Sequence, residues 1–279
     1  MSRLRDIRHL LAGTAVLTAS LALGPQAGAD EPVDVELVLA VDVSLSMSPD
    51  ELDIQRKGYA AALTHPDVLQ AIADGVHGRI AVTYFEWAGT ESHHVIVPWT
   101  VVASVGDAER VAAQLSARPP NSARRTSISA ALDFGGDLFA ESGYRGLKRV
   151  IDISGDGPNN QGAPVTGSRD RLAAQGITIN GLPLMTSGGF ASAYDVANLD
   201  RYYTDCVIGG PGAFMVPVND WSQFPAAIRR KLVLELAALP PEASEAGKLP
   251  VVLAQGGAAT DCLMGEKMWR DRSFMWDSR

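Results

Sequence analysis

The sequence predicts an α/β fold: a doubly wound, mostly parallel sheet with one antiparallel edge strand. Three observations lead there. Strand-like and helix-like segments alternate over residues 33–239. The strand-like segments are continuous apolar runs, the mark of strands covered by helices on both faces. Two of them, 80–87 and 94–97, are separated only by a short Ala88-Gly89-Thr90 turn, so they should pair as a hairpin and supply the antiparallel edge.

Taken in order, 35–43 is the first strand. Ser48-Pro49-Asp50-Glu51 then offers a capping box with proline at the first helical position, and Leu52, Tyr59, Ala62 and Leu63 fall on one side of the helix that follows. After the hairpin, Asp107 is expected to cap a helix carrying Val111, Ala112 and Leu115, which Pro119-Pro120 ends. A helix over about 127–140 leads to a strand at 149–154, and a helix over 165–175 leads to a strand at 177–182. The last strand is 213–218, followed by a helix from about residue 222 with Phe224, Ile228, Leu232 and Leu236 in one stripe.

The organisation around this core is simple. Residues 1–29 read as a signal peptide: Arg3, Arg5 and Arg8, an apolar run over 10–23, and the small-residue site Ala27-Gly28-Ala29 before Asp30. A run of that length spans ~21 Å as a helix, short of the ~30 Å hydrocarbon core, so export with cleavage is expected rather than anchoring. No later stretch is long and apolar enough to span a membrane. Residues 30–239 form one domain, and 240–279 form a polar linker and a tail that is too short for its own core but carries Trp269 and Trp276 to dock with.

The chain is 46% hydrophobic and 20% charged, an ordinary globular composition. Its net charge of −8 would become −10 without the leader, which disfavours a nucleic-acid partner. Cys206 and Cys262 are an even pair in a chain bound for an oxidising compartment. They suit a disulfide worth roughly 4 kcal/mol in the chain-entropy model, with two buried free thiols as the alternative.

Ligands of open parallel sheets sit beyond the carboxyl ends of the strands. Three loops there carry oxygen donors: Asp42, Ser44 and Ser46 after the first strand, Thr126 before a helix, and Asp156 after the 149–154 strand. With no histidine or cysteine among them, the set suits a hard cation. Mg²⁺ is the best match, with Mn²⁺ or Ca²⁺ as other divalent candidates. Two carboxylates roughly neutralise such an ion, leaving an open position able to attract an anion. Each hydroxyl taken alone would serve equally well as a helix cap.

At these residues the chain resembles the von Willebrand factor A domain, whose metal-ion-dependent adhesion site has the pattern Asp-x-Ser-x-Ser, then Thr, then Asp before Gly. The resemblance covers about 33–239. It implies that Ser44, Ser46 and Thr126 contact the metal, and that Asp42 and Asp156 act directly or through water. It also implies an exported, periplasmic or secreted binding protein, not an enzyme, which recruits an acidic side chain of a protein partner. The segment 150–162, Val-Ile-Asp-Ile-Ser-Gly-Asp-Gly-Pro-Asn-Asn-Gln-Gly, is also similar to a family of secreted bacterial A-domain proteins of unknown function.

A rival reading uses the same residues. Gly155-Asp156-Gly157-Pro158-Asn159-Asn160 is similar to a segment of haloacid-dehalogenase-like phosphohydrolases, which also carry a nucleophilic Asp after the first strand. Those enzymes need a second carboxylate two residues on, where this chain has Ser44, and an Asp where it has Asn160. Among the other polar residues, His93 and His94 are expected on a solvated hairpin, and His65 and His77 lack zinc-pair spacing. Asp152 reads as a satisfied core carboxylate, with Asp152 and Glu86 as lesser candidates for supporting the metal loops.

Overall fold

The computed structural model describes residues 30–186, 198–237, 250–254 and 260–277, the last six of these as backbone alone. The expected leader at 1–29, the start of the tail at 240–249 and the side chain of Trp276 lie outside the described residues.

The elements are β1 (Glu31–Asp42), α1 (Pro49–Leu63), α2 (Pro66–Ala73), β2 (Ile80–Trp87), β3 (His93–Val102), α3 (Val105–Ser116), α4 (Ile128–Leu138), β4 (Tyr144–Gly155), α5 (Val165–Ala174) and β5 (Thr178–Pro183). They are followed by α6 (Leu199–Tyr202), which runs into a π turn at Tyr203–Val207, then β6 (Phe214–Met215), α7 (Phe224–Leu236), β7 (Val252–Leu253) and α8 (Met264–Asp277). The strands form one sheet in the order β3-β2-β1-β4-β5-β6-β7. Pairing is parallel throughout the middle; β3 is the antiparallel edge expected from the hairpin, and the short β7 runs antiparallel to β6 at the other edge.

Both faces of the sheet are covered, which is why β1 reads as a continuous apolar run. Val35, Leu37, Leu39 and Val41 point into one core with α1, α2, α3 and α7, while Val38 and Ala40 point into the other with α4, α5 and α6. Each such buried Leu or Val contributes on the order of 2 kcal/mol. The capping box of α1 is made in full: Glu51 N–H donates to Ser48 Oγ, and Ser48 N–H donates to Glu51 Oε2.

Two local expectations are corrected and one residue gains a role. The N-cap of α3 is Ser104, not Asp107: the helix begins a turn earlier, with Asp107 N–H donating to Ser104 Oγ while the Asp107 carboxylate accepts from Ala103 N–H. His65, for which the sequence suggested no role, is the N-cap of α2, its ring Nδ1 accepting from Asp67 N–H ahead of the proline-started helix. The solvated hairpin holds for exposed His94 but not for His93. The His93 ring lies flat on Phe134, centroids 4.8 Å apart, and burial lowers its pKa.

Candidate functional site

In this sheet β1 and β4 are neighbours, yet the chain leaves them toward opposite faces, to α1 after β1 and to α5 after β4. Their carboxyl ends therefore part to leave a crevice at the point where the strand order reverses. Asp42 is the last residue of β1, and Asp156 follows the last residue of β4.

The loops are tied together before any ligand is considered. Beyond β1, Ala123 N–H donates to Val43 O and Leu45 N–H to Ala123 O, so the Asp42–Ser46 turn is paired to the segment leading to Thr126. Thr126 N–H donates to the side-chain oxygen of Asn160, and Asn160 N–H donates back to Thr126 O, which joins that segment to the loop after β4. Arg125, between them, adopts the left-handed conformation at φ 76°. For a residue with a Cβ this costs on the order of 1 kcal/mol or more, and it is sustained here by the bonds on either side.

Inside this frame the five candidate residues come to one edge. Asp42 Oδ1 accepts from Ser44 N–H at 2.7 Å, Ser44 Oγ lies 2.9 Å from Ser46 Oγ, and Ser46 Oγ donates to Asp156 Oδ1 at 2.8 Å. Ser44, Ser46, Thr126 and Asp156 line one cleft of about 320 Å³, with buried Asp42 behind them.

Two acidic groups meet at this edge. Burial, and then the charge of Asp156, push the Asp42 carboxyl well above the usual carboxylate range, against the hydrogen bonds from Ser44. Asp42 Oδ2 is buried with no hydrogen-bond partner among the described residues. A second carboxylate nearby and an unpartnered buried oxygen are both relieved by a positive charge between them. The remaining oxygens are neutral hydroxyls, a donor set that fits a hard divalent cation keeping some of its water. No three His, Cys, Asp or Glu side chains cluster among the described residues, so a cation here depends on the hydroxyls as well as the two carboxylates.

Several residues that shape the site were not singled out from the sequence. Gly155 is one: a Cβ there would lie 2.8 Å from Tyr203 Oη and 2.9 Å from Asp42 Oδ2, so only glycine leaves both atoms their space. Burial and the Asp42 charge raise the Tyr203 pKa, keeping a neutral phenol behind Asp42. Asn159 Oδ1 accepts from Ser129 N–H, fixing the start of α4. The C-terminal helix α8 also reaches the site, with Gly265, Met268 and Trp269 on the cleft. Trp269 was named from the sequence only as a residue for docking the tail; that it would lie on this cleft was not.

The two lesser candidates serve elsewhere. Glu86 is buried at the end of β2, where Oε1 meets Arg56 Nε at 2.6 Å and Oε2 accepts from both nitrogens of Asn121. It thereby holds the approach to Arg124 and Thr126 rather than touching the site. Asp152 is a buried core carboxylate whose Oδ1 lies 2.6 Å from buried Lys231 Nζ, which also meets Glu235, but it is not fully satisfied: Oδ2 has no hydrogen-bond partner among the described residues. Cys206 and Cys262 form a disulfide, Cα atoms 5.5 Å apart, just ahead of α8.

A family model described as a protein of unknown function (DUF1194) matches residues 32–240. No curated protein matches the chain. Among solved structures it is similar to proximal thread matrix protein 1 from the mussel byssus, with TM-score 0.51 and 15% identity over 74% of this chain and 49% of that one. It is similar to a von Willebrand factor type A protein from Catenulispora acidiphila, with TM-score 0.52 and 13% identity over 73% and 43% of the two chains. It is also similar to the pilus adhesin SpaC from Lactobacillus rhamnosus GG, with TM-score 0.52 and 14% identity over 74% and 30%. The chain thus spans half or less of the length of these proteins. Another structure of the byssus protein has a zinc-occupied adhesion motif. At these identities the likeness is one of fold: a von Willebrand A-like domain.

Proposed function

The chain belongs to the DUF1194 family of proteins of unknown function, and from that premise and its von Willebrand A-like fold we propose that it is an exported, metal-dependent binding protein and not an enzyme. The observation that carries this reading is the hydrogen-bonded run from buried Asp42 through Ser44 and Ser46 to Asp156, with Thr126 lining the same cleft. Ser44, Ser46 and Thr126 would hold a divalent cation, Mg²⁺ first among the candidates. Asp42 and Asp156 would balance its charge directly or through water. The cation's role is to offer an open position to an acidic group of a protein partner. The protein's role is to fix three loops so that the position faces outward.

Two neighbours of the same fold agree with this reading, a pilus adhesin and a matrix protein whose adhesion motif takes zinc. The phosphohydrolase alternative lacks its groups. Ser44 stands where a general acid/base carboxylate is needed, and Asn160 is occupied in holding Thr126. Among the described residues no helix is long and apolar enough to cross a membrane, which is compatible with export directed by residues 1–29.

Mn²⁺ titration followed by electron paramagnetic resonance tests the site. Wild type should bind one ion, and Asp42→Ala and Ser46→Ala should each weaken binding by on the order of tenfold or more with circular dichroism unchanged. Equal Mn²⁺ affinity in Asp42→Ala would sink the reading. A pull-down from envelope extract should retain a partner with Mg²⁺ and release it with EDTA.

A further inference from the structure

The helix α8 is joined to the site through its first two turns. The Cys206–Cys262 disulfide fixes the chain just before its first turn. Asn159 Nδ2 donates to Glu266 Oε1 at 2.7 Å, and Gly265 packs so closely that a Cβ there would lie 2.0 Å from Asn159 O. One turn on, the Arg125 guanidinium sits 3.4 Å from the Trp269 ring centroid, a cation–π contact to the loop that carries Thr126. Gly265, Met268 and Trp269 follow the i, i+3, i+4 spacing of one helix face, and that face bounds the cleft.

The cleft therefore has two chemistries. Its floor is the oxygen set Ser44, Ser46, Thr126 and Asp156. Its sides are apolar, from Leu45, Pro158, Met268 and Trp269, with exposed Arg124 also on the lining. Leu45 is 53% exposed beside the two serines, an apolar side chain left uncovered at the mouth of a polar site. At about 320 Å³ the space matches the lower end of small-ligand pockets, room for one acidic group and the apolar group next to it.

We propose that this cleft is a pocket for a carboxylate bearing a neighbouring aromatic group, the carboxylate on the cation and the ring against Trp269, Met268 and Leu45. The proposal rests on the metal reading above and adds the ligand class: an aryl-alkyl carboxylate, either free or as the carboxyl terminus of a peptide ending in an aromatic residue. Charge complementarity places the anion at the cation and near Arg124. The apolar wall from α8 supplies the selectivity that the three loops by themselves lack.

Calorimetry of the full chain with saturating Mn²⁺ tests this, using 3-phenylpropionate against propionate, and N-acetyl-Gly-Phe against its C-terminal amide. The phenyl acid should bind on the order of tenfold tighter than propionate, the value expected from burying a ring against apolar side chains. Trp269→Ala should erase most of that preference. Met268→Asp, which leaves Trp269 itself in place, should erase most of it too by putting a charged, hydrated group where the ring would pack. N-acetyl-Gly-Phe binding tighter than 3-phenylpropionate, with its amide silent, identifies a peptide terminus as the source; the reverse order identifies a free acid. Equal binding of the phenyl and plain acids by Mn²⁺-loaded wild type would overturn the pocket while leaving the metal site standing, as would a preference that survives both substitutions. Failure of wild type to bind Mn²⁺ at all would overturn the metal reading and this inference with it.

Discussion

Thr126 and Asn160 hold each other by two hydrogen bonds, Thr126 N–H to Asn160 Oδ1 at 3.0 Å and Asn160 N–H to Thr126 O at 2.8 Å. The pair joins the loop before α4 to the loop after β4, so the position of the Thr126 hydroxyl depends on a side chain 34 residues away.

Removing that side chain should be felt at the cation. Asn160→Ala leaves the Thr126 amide without its acceptor, which costs about 1 kcal/mol of stability and should weaken Mn²⁺ binding on the order of tenfold, the effect typical of groups that orient ligands. Asn160→Asp retains an acceptor oxygen and should keep more of the affinity than the alanine. Mn²⁺ titration and urea unfolding of both variants decide this. An Asn160→Ala protein with wild-type Mn²⁺ affinity would mean that the loop is placed without the pair.

A pH effect should come from the other buried charge cluster. Glu235 on α7 faces Lys231 on the same helix, Asp152 on β4 and Asn180 on β5, with the Lys148 charge on β4 also acting on it. Burial first, then the Asp152 charge, push the Glu235 pKa up to about 7, against the lowering by Lys231 and Asn180. The folded value lies above the unfolded one near 4.5, so the stability contributed by protonated Glu235 is full below that pH and is lost as pH rises through about 7. Relative to wild type, Glu235→Gln should therefore gain stability between those values, by on the order of 3 kcal/mol at most. Urea unfolding at pH 4.5, 6 and 8 measures it. A difference between the two proteins that does not change with pH would contradict the assignment.

The sheet was legible because its cause is local. Val35 to Val43 must be apolar at nearly every position to be covered on both faces, and the Ser48–Glu51 box announces α1 within four residues. The three oxygen-bearing loops were legible for a related reason, since each abuts the end of a strand or the start of a helix. What escaped was long-range. Lys231 looks like a surface residue beside the Ile228–Leu232 stripe, and only the sheet brings Asp152 beneath it. The eight-residue α2 is too short to show a period. Nothing near Trp269 says that its ring will meet Arg125, because that meeting depends on where a disulfide sets the helix.

The docking of α8 makes two glycine-to-alanine changes differ in sign. In an exposed helix interior Gly→Ala stabilises by roughly 0.5–1 kcal/mol, since alanine loses less backbone freedom on folding. Gly167 in α5 should follow that rule, because a Cβ there finds only the flexible end of Arg171, at 3.7 Å. Gly265 in α8 should break it. Its Cβ would lie 2.0 Å from a backbone oxygen and 2.8 Å from a backbone carbon of Asn159, and backbone cannot swing aside as a long side chain does. The cheapest relief is for α8 to lift, which stretches the Asn159–Glu266 bond and withdraws Trp269 from Arg125. The disulfide ahead of the helix keeps the chain tethered. Gly265→Ala should thus raise amide exchange across 264–271 by about tenfold or more, the opening of a unit held by few contacts, while the sheet exchanges as before. Hydrogen exchange read by mass spectrometry on both variants is the check. Unchanged protection of α8 in Gly265→Ala would mean that the helix is not held against Asn159.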